Sequence, residues 1–211
     1  MDPEPAVATR LLLVRHGQTH TSRDDTFCGV TEVPLTTVGC SQSQCLAERL
    51  RRERVNALYC SPQQRAQETA APIARALEIE IRTRSALREM DFGEWENRLR
   101  ADLAREYPHE LEEWERGSWM ANPPGGETQQ AVVDRIVPYI IEVLDAHMGQ
   151  TVVVVSHKTA LRLLIGHLLN MTPPESRNLR MDPASLSELR VTRDQVELVF
   201  CNDTSHLSLQ Q

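Results

Sequence analysis

Short apolar runs recur along the chain and predict the strands of a sheet. Leu11 to Val14 is continuously apolar, as is typical of a strand buried on both faces. Thr151 to Val155 has the strongest β character of any run in the sequence. Shorter runs predict strands at 55–60 and 79–83, and a closing pair of strands near 185–201.

Helical patterns fill the segments between these runs. One helix is predicted from Thr36 or Thr37 to about Arg54, and a second has Ser61 as its N-cap. The second helix carries an apolar stripe of helical spacing, formed by Ala66, Ala70, Ile73, Ala74 and Leu77. Two further helices are predicted at 127–148 and around 161–168. Alternating strands and helices indicate an α/β fold, with helices on both faces of one sheet.

The segment from Arg88 to Gly126 has a different character. Its three tryptophans lie among many acidic residues, and a Pro- and Gly-rich loop closes it. We interpret about 97–125 as two short helices that form an insertion over one end of the sheet.

The composition of the sequence argues against several classes of protein. The 211 residues are 40% hydrophobic and 25% charged, which is typical of one globular domain covering 1–211. No apolar run is long enough for a transmembrane helix, and Met1 to Arg10 lacks the apolar region of a signal peptide. The formal net charge of −7 disfavours nucleic acid as a partner. The five cysteines lack a Cys-x-x-Cys pair, so we expect a reducing, cytoplasmic location without a disulfide framework.

Two of the predicted strands run directly into histidines. Arg15-His16-Gly17 follows the first strand, and Ser156-His157 follows the strand at 151–155. Because ligands bind at the carboxyl ends of strands in open α/β sheets, both histidines should lie at the ligand edge. Arg65 should lie near the same edge, in the first turn of the helix after a third strand. Two histidines, two arginines and a helix N-terminus are suited to a tetrahedral dianion, so phosphoryl chemistry is indicated.

Other phosphatase chemistries lack their motifs in this sequence. A cysteine-dependent enzyme needs five residues between its cysteine and arginine, and Cys60 with Arg65 misses that spacing by one. Cys45 and Arg51 meet the spacing, but within a glycine-free helical segment that cannot form a phosphate loop. An Asp-x-Asp motif after an apolar strand, a Walker A motif and a cluster of metal ligands are all missing. We therefore expect no metal and no cofactor.

Several strings in the sequence resemble the histidine phosphatase superfamily, also called phosphoglycerate-mutase-like. They occur in the family's order over about residues 10–170, and the tail at 202–207 is similar to the small phosphatase branch. The strings are Arg15-His16-Gly17-Gln18-Thr19, Ser61-Pro62 with Arg65-Ala66, Glu89-Met90-Asp91-Phe92-Gly93-Glu94-Trp95-Glu96, and Ser156-His157. The resemblance implies a three-layer sandwich with a mixed, mostly parallel central sheet, and the helical insertion covering the active site.

The resemblance also implies a mechanism that hydrolyses a small phosphomonoester without metal. His16 would attack phosphorus and form a phosphohistidine, while Arg15, Arg65 and His157 would hold the phosphoryl oxygens. Glu89 would protonate the leaving alkoxide and later deprotonate water. The family's substrate loop would add weaker substrate contacts from Gln18, Ser22, Gly29 and Thr31.

The sequence departs from the family pattern at three positions. Ser22 stands where many members have asparagine, and Asn97 where many have glycine after Trp-Glu. Lys158 stands where many have glycine after the second histidine, and it is the only lysine among 23 basic residues. Its side chain either binds a substrate carboxylate or second phosphate at the pocket mouth, or points to solvent.

Two alternatives to a phosphatase stay open at this point. One is a phosphoglycerate mutase dependent on 2,3-bisphosphoglycerate, and the other is a non-catalytic module that binds a phosphorylated ligand. The sequence leaves the particular phosphomonoester and the oligomeric state open, with a homodimer among the alternatives.

Overall fold

The computed structural model describes residues 8–210 and contains a six-stranded mixed sheet in the order β3-β2-β4-β1-β5-β6. Strands β1 to β4 are mutually parallel, whereas β5 runs antiparallel to β1 and β6 antiparallel to β5. The strands are β1 (Thr9–Arg15), β2 (Ala57–Cys60), β3 (Ile81–Thr83), β4 (Thr151–Ser156), β5 (Leu186–Val191) and β6 (Val196–Asp203). The predicted mixed, mostly parallel sheet is therefore confirmed.

Helices pack on both faces of the sheet. The α-helices within the described residues are α1 (His20–Arg23), α2 (Thr37–Leu50), α3 (Gln64–Leu77), α4 (Arg100–Glu106), α5 (Pro108–Arg116), α6 (Gln129–Ala146), α7 (Lys158–Leu168) and α8 (Pro173–Arg177). Alternate residues of the central strands serve two separate hydrophobic cores. Leu12 and Val14 of β1 pack with α2 and α3, whereas Leu11 and Leu13 pack with α6 and α7. This arrangement is the three-layer sandwich that the family resemblance implies.

The register of the two central strands brings the two predicted histidines together. Arg15 pairs with Ser156 at the carboxyl ends of β1 and β4, so His16 and His157 each follow directly after a paired position. Neighbouring parallel strands end at the same edge of a sheet, and the backbone N–H of His16 donates to the carbonyl of Ser156 at 3.0 Å.

The predicted start of α3 is wrong by two residues. The helix begins at Gln64 with Gln63 as its N-cap, not at Ser61. The backbone N–H of Ser61 still bonds to Val155 as part of the sheet, and the Ser61 hydroxyl lies 2.8 Å from Nε2 of His157. The backbone of Ser61 is still bonded to β4, so the helix begins only after this residue, although the Ser61 hydroxyl also accepts from the N–H of Gln63 at 3.3 Å. For α2, the structure confirms a threonine cap, because the Thr36 side chain accepts from the N–H of Gly39.

Two helices, α4 and α5, occupy the region predicted as an insertion. The segment before them is fixed by aromatic packing: Phe27 meets the rings of Phe92, Trp95 and Trp114 edge-on, at centroid distances of 5.1, 5.4 and 5.3 Å. The contacts join the loop after α1 to the insertion. The division of the chain into one domain with an insertion at about 97–125 stays our interpretation.

No helix among residues 8–210 is long and apolar enough to cross a bilayer. The expectation that the chain lacks a signal peptide rests largely on residues 1–7, which lie outside the described residues.

Candidate active site

A cavity of about 170 Å³ opens at the carboxyl ends of the central strands. Its inner wall is formed by Arg15 at the end of β1, His16 directly after it, Arg65 on α3 and Glu89 in the loop before α4. All four side chains are buried, with exposures of 8%, 5%, 1% and 4% respectively. Four residues separated widely in sequence therefore converge on one small polar space.

His16 is held in a form that can act as a nucleophile. Its Nδ1 lies 2.8 Å from the carbonyl oxygen of Gly17, which can only accept a hydrogen bond, so Nδ1 carries the proton of the neutral ring. The lone pair is then on Nε2. Burial, and next the positive charges of Arg65 and Arg15, hold the pKa of His16 well below its usual range. The neutral imidazole therefore predominates at neutral pH.

Arg65 is fixed at both ends of its guanidinium. Its Nη1 donates to the carbonyl of Thr31 at 2.9 Å, and its Nη2 donates to the carbonyl of Gly29 at 2.7 Å. Its Nε lies 3.2 Å from Nδ1 of His157. These bonds hold a buried cation rigidly beside His16, with the second hydrogen of each Nη group still available to an anion.

The loop that holds Arg65 is itself anchored by a carboxylate. Glu96 accepts from the backbone N–H groups of Gly29, Val30 and Thr31 at 2.9, 3.0 and 3.2 Å. It also accepts from the hydroxyl of Thr31 at 2.7 Å. The last acid of the Glu89-to-Glu96 string thus acts on the site through the loop at 29–31.

Arg15 contains a buried donor without an acceptor. Its Nη1 donates to the carbonyl of Met181, but its Nε has no partner within the part of the chain that the structure describes. Burial lowers the pKa of Arg15 to about 10, so the guanidinium is still charged at neutral pH. An unpaired N–H in the interior costs roughly 1–3 kcal/mol, and an anion in the cavity would remove that cost.

His157 lies behind the cavity and does not line it. Its ring centroid is 5.1 Å from that of His16, and the residue is fully buried. Because Nδ1 accepts from Arg65, Nε2 carries the proton and donates to the Ser61 hydroxyl at 2.8 Å. Burial holds the pKa of His157 well below its usual range, and the charge of Arg65 adds to this effect. Both ring nitrogens are therefore engaged by protein partners.

Glu89 lies against the N-terminus of α7. Its Oε1 accepts from the N–H groups of Met90 and Ala160, at 2.8 and 3.0 Å, and its Oε2 accepts from Thr159 at 3.0 Å. A carboxylate offers about four acceptor positions, so one position on Oε2 is left for a proton. The neighbouring acids of its string, Asp91 and Glu94, do not line the cavity.

The predicted substrate-binding residues divide into two groups. Ser22 and Lys158 line the cavity, as expected for substrate contacts. Gln18, Gly29 and Thr31 do not: the Gln18 side chain accepts from Thr36 at 3.0 Å, while Gly29 and Thr31 hold Arg65 through their carbonyls. The geometry therefore gives these three residues a supporting place rather than direct contact with a ligand.

Sequence reasoning missed several residues of the outer cavity. The additional charged residues are Asp25, Arg100, Arg162 and Arg177. Only Arg162 had a usable signal, because it lies four residues after Lys158 and so on the same helical face. The others reach the site through the positions of the loop after α1, the insertion and α8, which no motif marks.

Two histidines and two arginines around a concave site at the strand ends are typical of an α/β protein that binds phosphate. Comparison with known proteins agrees: residues 11–204 match the model of the histidine phosphatase superfamily (branch 1). The chain belongs to this superfamily.

Named relatives match nearly the whole chain. Phosphoserine phosphatase 1 of Hydrogenobacter thermophilus is 30% identical, over 94% of each chain. Adenosylcobalamin/alpha-ribazole phosphatase of Escherichia coli is 32% identical, over 87% of this chain and 91% of the relative. The solved structure of the alpha-ribazole phosphatase from Shigella flexneri superposes with a TM-score of 0.82 at 31% identity, covering 92% of this chain and 96% of that one.

Proposed function

We propose that the protein hydrolyses a small phosphomonoester through a phosphohistidine intermediate on His16. The observation that carries this proposal is the neutral His16, with its lone pair on Nε2, in one cavity with two buried arginines. One of those arginines, Arg15, presents an N–H that has no acceptor among the described residues.

The first half-reaction transfers the phosphoryl group to the enzyme. Nε2 of His16 forms a bond to phosphorus as the bond from phosphorus to the leaving oxygen breaks. Arg15 and Arg65 offset the charge on the phosphoryl oxygens in the transition state. Glu89 gives its proton to the leaving oxygen, so the product departs as an alcohol.

The second half-reaction restores the enzyme. A water molecule attacks phosphorus and loses its proton to Glu89, while the bond from phosphorus to Nε2 breaks. Inorganic phosphate leaves, with His16 neutral and Glu89 protonated again. His157 was expected to hold the phosphoryl oxygens directly. Because both of its nitrogens are bonded to Arg65 and Ser61, we assign it the positioning of Arg65 instead.

The alternative function, a phosphoglycerate mutase, requires a cavity that is shielded from water. A mutase must exclude water while its phosphohistidine waits for a second alcohol, so it needs a well-covered site. Here the cover comes from two short helices, α4 and α5, of 7 and 9 residues. This supports hydrolysis. The phosphatase names of the relatives support it as well.

We expect the purified enzyme to release inorganic phosphate from members of a panel of phosphorylated metabolites and from an aryl phosphate. Incubation with 3-phosphoglycerate and catalytic 2,3-bisphosphoglycerate is the test against the mutase. If 2-phosphoglycerate accumulates faster than phosphate is released from any compound of the panel, hydrolysis is not the function. Binding of phosphorylated compounds without any turnover would instead establish a non-catalytic module.

Turnover should survive dialysis against a strong chelator. The reason is that residues 8–210 contain no group of three or more His, Cys, Asp or Glu side chains able to hold a metal ion, whereas the arginines can supply the positive charge. Phosphate release is compared before dialysis, after it, and after addition of Mg²⁺ or Zn²⁺. A requirement for added metal would contradict the proposed mechanism.

The cytoplasm is the proposed compartment, since all five cysteines are free thiols. The partner is proposed to be a small-molecule phosphomonoester, and a homodimer stays a prediction.

A further inference from the structure

The cavity contains more positive charge than a phosphoryl group needs. Six of its lining side chains are cationic and two are carboxylates, Asp25 and Glu89. A bound phosphoryl dianion would offset Arg15 and Arg65 in the inner wall. Arg100 pairs with Glu115 outside the cavity. Three cations, Lys158, Arg162 and Arg177, are left in the outer wall against one carboxylate, Asp25, while Glu89 is bonded to the N-terminus of α7.

Lys158 is a half-buried cation that no carboxylate neutralises directly. It is the first residue of α7, and its ammonium forms no salt bridge with any residue in 8–210. Burial and the nearby Arg162 and Arg15 lower its pKa to about 8, although Asp25 and Glu89 act in the opposite direction. The unbound cavity therefore disfavours a charge that an anionic ligand would stabilise.

The two arginines are held in place by backbone carbonyls rather than by acids. Nε of Arg162 donates to the carbonyl of Leu179 at 2.7 Å. Arg177 donates to the carbonyl of Trp114 at 3.1 Å and stacks on the Trp114 ring, with Cζ 4.2 Å from its centroid. Each guanidinium is thus oriented while retaining further N–H donors, the arrangement that arginine uses for carboxylate and phosphate.

We propose that Lys158, Arg162 and Arg177 form a second anion subsite, so that the physiological substrate carries a carboxylate or a second phosphate besides the phosphoryl group that is removed. The proposal rests on the proposed function, which makes the inner wall of the cavity the binding site of the phosphoryl group that is removed. It assigns substrate selection to α7 and α8, since Lys158 and Arg162 belong to one and Arg177 to the other.

A matched set of three substrates tests the subsite by kinetics. The compounds are 3-hydroxypropyl phosphate, 3-phosphooxypropionate and 1,3-propanediol bisphosphate, which share one carbon chain and differ in the charge of the far end. We expect kcat/KM to be about 10- to 100-fold higher for at least one charged compound than for the hydroxyl compound, the range for one or two charge-assisted hydrogen bonds. The carboxylate and phosphate members show which anion the subsite takes.

Substitution of Lys158 removes the central charge of the subsite. In Lys158→Gln the preference for the charged compound over the hydroxyl compound should fall about tenfold or more, mainly through KM. The preference is a ratio within one variant, so general damage to the enzyme cancels. Arg105→Gln removes a positive charge from an exposed position of the insertion outside the cavity, and it should leave the preference unchanged.

The pH dependence of the preference shows whether the charge of Lys158, and not only its packing, selects the substrate. Since kcat/KM reports the free enzyme, the preference should decline as the pH rises through about 8 and Lys158 loses its proton. Lys158→Arg should retain the preference and lose this decline, because an arginine does not deprotonate in that range.

A binding measurement keeps the proposal testable apart from catalysis. Reductive methylation with ¹³C-formaldehyde labels one lysine in this chain, because Lys158 is the only one, along with the amino terminus; Lys158→Arg assigns the signal. Non-hydrolysable phosphonate analogues of the three compounds are then added. We expect the pKa of the labelled lysine to rise with a charged analogue and much less with the hydroxyl analogue.

The outcomes are distinguishable. The second subsite is overturned if kcat/KM is equal for the three substrates, or if the pKa of Lys158 is the same with the charged and the hydroxyl analogues. Hydrolysis stands in either case. Absence of phosphate release from every compound and from an aryl phosphate overturns the proposed function, and the binding measurement then still decides the subsite.

Discussion

His16→Ala should reduce phosphate release by about 10⁴-fold or more, because it removes the nucleophile on which both half-reactions depend. With wild-type enzyme, a brief incubation with radiolabelled substrate followed by a base quench should trap a covalent phosphoenzyme. A phosphohistidine is acid-labile and base-stable, and the adduct should map to His16. The neutral ring with its lone pair on Nε2 is the structural reason for this expectation.

A matched histidine variant controls for this experiment. His167 is exposed on α7 and does not line the cavity, so His167→Ala should keep both turnover and adduct. Thermal unfolding of the two variants shows whether His16→Ala still folds. A label that maps to another residue, or turnover that persists in a folded His16→Ala, would remove His16 from the role of nucleophile.

Glu89→Gln should slow the hydrolysis of alkyl phosphates by about 10²- to 10⁴-fold, and that of aryl phosphates much less. Alkoxides are poor leaving groups that need a proton, whereas phenoxides depart with little help. The measurement is kcat for a series of substrates that differ in the pKa of the leaving alcohol. A steeper dependence on that pKa in the variant than in the wild type is the expected result.

The substitution Glu89→Gln also weakens the hydrogen bonding of this side chain, and the comparison of two substrate types corrects for that effect. A glutamine amide would face the N–H of Thr159 with a donor in place of Oε2, at a cost of roughly 1–3 kcal/mol for the lost bond. Such damage lowers both substrate types equally, so only the difference between them reports on the acid. Glu94→Gln, outside the cavity, is the control. Equal losses for alkyl and aryl phosphates would transfer the role to another group, with Asp25 the remaining carboxylate on the cavity.

The sheet and the inner site could be predicted from the sequence because their determinants are local. A strand buried on both faces needs a continuous apolar run, and Leu11 to Val14 supplies one. A parallel sheet then brings its carboxyl ends to one edge, which places His16 close to His157 without further information. Arg65 follows from its position in the first turn of the helix after β2.

The placement of individual groups within the site was not local and was predicted less well. Ser61 has the local chemistry of a helix cap, yet its hydroxyl is used by His157, 96 residues away in the sequence. His157 follows its strand as predicted but turns both nitrogens towards protein partners. Gly29 and Thr31 lie in the predicted loop, but their carbonyls hold Arg65 from behind.

The sequence by itself determined the strands, their common edge and the types of side chain delivered there, because apolar periodicity and strand direction are properties of short segments. Only the tertiary structure decided how the nitrogens of each histidine are engaged, which carboxylates line the cavity and which cations surround its mouth. Apart from the bond between His16 and its neighbour Gly17, those outcomes depend on hydrogen bonds and burial between segments far apart in the chain. Arg177, for example, reaches the cavity only because α8 packs it onto Trp114 of the insertion.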